Sequence, residues 1–137
     1  MRRWLGNLLL VDVVNGGTEF VYRLYGSNVA ERFGRDLTGC TPQAFPPHHL
    51  DIIVEAYRAV VGTAMPRYAA HILALENRKF AAWERVVLPL SGGGASVDHL
   101  LVGIYRFRVP DLIRYRASLT ALGIEPSITE EADGAFL

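Results

Sequence analysis

The order of elements along the chain predicts an α+β fold with helices on one face of an antiparallel sheet. Three observations carry that prediction: an apolar hairpin at the start, a helical stretch in the middle, and three further strand-like runs after it. Residues 8–14, Leu-Leu-Leu-Val-Asp-Val-Val, are rich in β-branched and aliphatic side chains that suit a strand. Asn15-Gly16-Gly17 follows, and Asn-Gly supplies the positive-φ residues of a tight hairpin turn. Residues 18–25 then form the returning strand, which Gly26 ends.

Ser27 is expected to cap a short helix over residues 28–33, with Gly34 stopping it in the left-handed conformation. Residues 35–47 hold too many breakers for a long element. A longer helix begins near His48 or His49, where Ile52, Ile53, Ala56, Tyr57, Val60 and Val61 share one apolar face. Gly62 and Pro66 mark its end. Strands are expected over residues 67–75, 79–90 and 98–107, separated by the turn Glu76-Asn77-Arg78 and the loop Ser91-Gly92-Gly93-Gly94. Pro110-Asp111 opens a last helix, ended by Gly123 and Pro126, and an acidic tail is expected to hang loose after it.

With 137 residues, 50% of them hydrophobic, the chain has the size and apolar content of one folded domain. Fourteen Lys and Arg balance fourteen Asp and Glu, which argues against a nucleic-acid binder needing a basic surplus. The balance is uneven: every basic residue lies at or before Arg116, while Glu125, Glu130, Glu131 and Asp133 crowd the end. One cysteine, Cys40, excludes an internal disulfide and points to a cytoplasmic setting. No apolar run is long enough to span a bilayer, and the Arg2-Arg3-Trp4-Leu5 opening lacks the cleavage site of a signal peptide.

The stretch from Tyr25 through Gly26-Ser27-Asn28-Val29-Ala30 to Gly34, followed by Asp36-Leu37-Thr38-Gly39, resembles the early signature of PAS domains. Tyr22-Arg23-Leu24 before Gly26, the helix carrying Tyr57, and Leu88-Pro89-Leu90-Ser91 extend the likeness to a bacterial PAS subfamily of unknown ligand. The resemblance covers about residues 7–107. It implies a five-stranded antiparallel sheet in the order 2-1-5-4-3 and a sensory or protein-interaction role without catalysis. It also divides the chain into a PAS-like domain (1–107), a flanking helix (108–124) and an acidic tail (125–137). Family members often carry a helix before the first strand, and here only about six residues precede it.

Between the sheet and the long helix, Tyr22, Tyr57, His71, Trp83 and Arg85 are the candidate ligand-binding side chains, because their polar tips can orient a small molecule. The same pattern is met if Tyr57 and Trp83 are core aromatics and Arg85 is a solvated outer-face residue. Alternation alone does not say which face is inside. A heme is not expected, since the middle of the long helix offers Tyr57 and no histidine. Flavin photochemistry is not expected either, because Cys40 follows Gly39 directly without the Asn and Arg of the light-sensing motif. His48, His49 and Asp51 lack metal-ligand spacing on a helix. The glycine loop at residues 91–94 has neither a nucleophile elbow nor a phosphate-loop lysine.

Leu112, Tyr115, Leu119 and Leu122 repeat with the rhythm of a helix seam, an expected homodimer interface or an intramolecular packing face. Two rivals to a ligand-binding sensor stay open. One is a ligand-free protein–protein adaptor, whose interior its own side chains would fill. The other is a small acid–base enzyme using Asp12, Glu84 and His71. With no effector segment recognisable, output is expected to come from a signalling partner, with no nucleic acid or membrane involved.

Overall fold

The computed structural model describes residues 2–130. One helical turn, α1 (Arg2–Leu5), precedes the hairpin strands β1 (Leu8–Val14) and β2 (Glu19–Tyr25). Helices α2 (Ser27–Phe33) and α3 (Pro47–Thr63) come next, then strands β3 (Arg67–Ala74), β4 (Phe80–Leu90) and β5 (His99–Arg108). The chain closes with α4 (Leu112–Ala121) and β6 (Ser127–Glu130). The strands hydrogen-bond in the order β2-β1-β5-β4-β3-β6, so the expected five-strand order is present with a sixth strand added. That strand comes from the segment expected to be a loose tail; its residues beyond 130 lie outside the described residues.

By its contacts the chain divides into two units, residues 2–67 with 86–103 and residues 68–85 with 104–130. In the first, β1 pairs antiparallel with both β2 and β5. Asn15 (φ 50°) and Gly16 (φ 69°) make the turn that Asn-Gly predicts. The hairpin register slips between Leu10 and Val11: Leu10 faces Leu24, Val11 faces Tyr22, and Arg23 is left over as a bulge. The extra residue reverses the alternation. Phe20, Tyr22 and Tyr25 all turn inward, while Leu24 points out at 61% exposed.

Ser27 does not cap α2. Its first turn is finished by the main chain of Gly6, whose carbonyl accepts from the N–H groups of Asn28 (2.9 Å) and Val29 (3.3 Å). Arg32 strengthens the link by donating to Asn7 Oδ1 at 2.8 Å. Gly34 ends α2 in the left-handed conformation, as expected. Helix α3 runs through Gly62 and stops where Ala64 adopts φ 53°, so the glycine was not the terminator. Pro47 starts it, pre-set for the first helical position, where no N–H is needed.

In the second unit, Asp111 caps α4 by accepting from the N–H of Arg114 at 3.0 Å. The β6 strand runs parallel to β3, with His71 opposite Ser127 and Ala74 opposite Glu130. No helix among the described residues is long and apolar enough to cross a membrane.

Candidate functional site

The bulge at Arg23 builds the centre of the first unit. With Tyr22 and Tyr25 on one face, their rings meet edge to face at 5.3 Å. Tyr22 also meets Phe45 and Tyr57, and Phe20 meets Tyr57, at the centroid distances of aromatic pairs. The Tyr22 and Tyr57 hydroxyls are 3.0 Å apart and hydrogen-bond each other. Tyr22 is 0% and Tyr57 2% exposed. The two candidate ligand residues of this unit are brought together and bond to one another.

The Tyr25 hydroxyl is buried beside this pair, and burial pushes its pKa up, helped by Tyr57 and by the Asp36 carboxylate. Asp36 is itself held below the usual carboxylate range by the Thr38 hydroxyl and N–H, at 2.6 and 2.8 Å. The loop that carries them is stitched to β2: the Gly39 N–H donates to the Tyr22 carbonyl at 2.7 Å, and the Tyr22 N–H to the Cys40 carbonyl at 2.9 Å. This covers β2 at Tyr22 and buries Leu37 completely. The Leu37-Thr38-Gly39 motif is therefore a structural clasp, with Gly39 at φ 80°.

Leu24, Leu10 and Leu101 form a row across β2, β1 and β5. They line a groove of about 570 Å³ together with Leu5 and Leu8, edged by Asp36 and Thr38. Sequence reading did not single out this groove, because the bulge that exposes Leu24 leaves no local signal. On the same strands Asp12 accepts from Arg23 Nε at 3.1 Å and lies 2.8 Å from His99 Nδ1.

In the second unit His71 and Trp83 stack at 4.2 Å, 25° from parallel. Trp83 is 6% exposed. Arg85, two residues along the same strand, is 5% exposed, which removes its reading as a solvated outer-face residue. The His71 Nδ1 also makes a close contact with the Ser127 hydroxyl of β6. Glu84 lies on the opposite face of β4 and accepts from the Tyr115 hydroxyl of α4 at 2.9 Å. Tyr68 hydrogen-bonds the same carboxylate, and burial followed by this bond raises the pKa of both phenols.

Asp12, Glu84 and His71 are thus each engaged elsewhere, with Arg23 and His99, Tyr115, and Ser127 respectively. Among the described residues no three His, Cys, Asp or Glu side chains are grouped to hold a metal ion. The expected seam of α4 is split. Leu119 is buried, Tyr115 packs on Phe107 at 5.5 Å, Leu112 is half-buried, and Leu122 stands exposed.

No family model matches the sequence, and no match is found among curated proteins. Solved structures do match. The PAS domain of BvgS from Bordetella pertussis superposes with a TM-score of 0.57 at 16% identity, over 86% of this chain and 88% of that one. A sensory box sensor histidine kinase from Vibrio cholerae gives 0.53 at 12% identity, over 74% and 81%. An RNA-binding light-oxygen-voltage receptor gives 0.50 at 14% identity, over 85% of this chain and 34% of that one. At these identities the likeness is one of fold, and the fold is that of a PAS domain.

Proposed function

We propose that this PAS-fold chain is a non-catalytic protein-interaction module of a signalling system, closed around its own aromatic side chains. The observation that carries the reading is the Tyr22–Tyr57 hydroxyl pair: two side chains able to orient a ligand are buried and bond to each other. A sensor of a small molecule needs space beside those rings, whereas an adaptor needs a rigid core and an accessible surface. The fold neighbour named as a sensory box sensor histidine kinase supports a place in signalling. The disposition of Asp12, Glu84 and His71 supports the absence of catalysis, since each bonds to a different partner and Glu84 and His71 occupy opposite faces of their strands.

Native mass spectrometry with an absorption spectrum of the purified protein tests this reading. The expected result is a mass accounted for by polypeptide alone and no visible absorption. A retained small molecule, or a heme or flavin band, overturns it.

A further inference from the structure

The sixth strand is the feature that neither the expected fold nor the proposed role uses. Its four described residues run parallel to β3 and match His71, Ile72, Leu73 and Ala74 with Ser127, Ile128, Thr129 and Glu130. Its first two side chains add little anchorage: Ser127 is exposed apart from its contact with His71, and Ile128 is 53% exposed. Main-chain hydrogen bonding ties it to β3, and such bonding depends little on sequence. The strand it covers is different in kind. Ile72 and Leu73 are completely buried, so β3 has the character of an interior strand and needs its edge paired. The connection from α4 is short, with Gly123 at φ +72° and Pro126 just before the strand.

We propose that this edge of β3 is a strand-acceptor site for an extended segment of a partner protein, and that β6 occupies it in reserve. The segment that fits carries a small hydroxyl residue opposite His71 and a β-branched apolar residue next to it, as Ser127 and Ile128 do. When the partner strand enters, β6 leaves and the end of α4 loses its tether, which couples binding to the flank of the domain. The proposal rests on the interaction-module reading and names the partner chemistry for it.

A fluorescent peptide of residues 124–130, titrated into the full-length protein and followed by anisotropy, tests the site. The comparison is with the full-length double variant Ile128→Pro/Thr129→Pro. Successive residues of a strand aim their N–H groups to opposite sides, so one of the two prolines removes a bond to β3 whichever faces it. If β6 fills the edge nine-tenths of the time or more, the variant binds the peptide about tenfold tighter than the parent or better. A peptide carrying the same two prolines is expected not to bind.

Equal affinities for parent and variant, no binding to a variant that circular dichroism shows folded, or equal binding of the proline peptide each overturns the proposal. If the double variant does not fold, Ser127→Ala takes its place, with a smaller gain expected and no gain overturning the proposal. A bound small molecule in the native mass spectrum would end the module reading while leaving this titration to decide the edge by itself.

Discussion

Gly26 lies so close to Gly6 that a β-carbon on it would stand 2.4 Å from the Gly6 carbonyl oxygen and 2.8 Å from that of Leu8. The Gly6 carbonyl is the group that caps α2, so it cannot retreat without exposing the N–H groups of Asn28 and Val29. Glycine is required at position 26 by this approach of two backbones, since its own φ of −59° is open to any residue.

Gly26→Ala is therefore expected to destabilise the fold by about 3 kcal/mol, at the upper end of ordinary single substitutions. Gly34→Ala meets no neighbouring atom within 4 Å and sets only the φ of 91° against it, so it should cost less, about 1 kcal/mol. Urea denaturation of the two variants checks the order. A Gly26→Ala protein as stable as the parent would refute the backbone contact.

The Tyr22–Tyr57 hydroxyl pair makes a second prediction. Removing either oxygen leaves the other buried without that partner, so Tyr22→Phe and Tyr57→Phe should each cost about 1–2 kcal/mol. Removing both leaves neither hydroxyl to miss the other. The double variant should then be more stable than the sum of the single losses implies, by about 1 kcal/mol in a double-mutant cycle. Strict additivity would show that the hydroxyls do not bond.

What the sequence made legible was local, and what it concealed was pairing. Asn15-Gly16 announced its turn and Gly34 its helix end, because a positive φ is a property of the residue itself. The inward face of α3 followed from the 3.6-residue period that brings Ile53, Ala56, Tyr57 and Val60 to one side. The bulge at Arg23 depends on how β2 meets β1, and nothing within Tyr22-Arg23-Leu24-Tyr25 marks it. Tyr22, Tyr57, His71 and Trp83 were identifiable as residue types. That the first two bond each other and the last two stack depends on register and helix placement. Four residues of β6 pair with a strand more than fifty positions earlier, too short a run to stand out from a tail.

The three phenols with raised pKa give a pH dependence of definite sign. Tyr25, Tyr68 and Tyr115 stay neutral in the fold beyond the ordinary phenol value of 10.0, chiefly through burial. Below about pH 10 neither folded nor unfolded chain ionises them, so their contribution to stability is fully present. Above it the unfolded chain releases protons that the fold retains, and stability falls as pH rises. Urea midpoints measured from about pH 9 to pH 11 should therefore decline. The decline should be shallower in Tyr115→Phe, which deletes one of the three groups. A midpoint that rises over this range would reverse the assignment of the phenols as protected.

The bulge can be tested through two leucines held close together by the hairpin. Leu9 faces Tyr25 and is 1% exposed, whereas Leu24 faces Leu10 and points outward. In an unbroken register the alternation from Tyr22 would put Leu24 inside and Tyr25 outside. Leu9→Ala is expected to cost about 2–5 kcal/mol, the loss of a buried leucine together with the cavity it leaves. Leu24→Thr keeps a strand-favouring residue on an exposed site and should change stability by less than about 0.5 kcal/mol. Equilibrium unfolding of both variants decides the matter. A costly Leu24→Thr would place that side chain in the core, and the inward turn of Tyr25 beside Tyr22 and Tyr57 would fall with it.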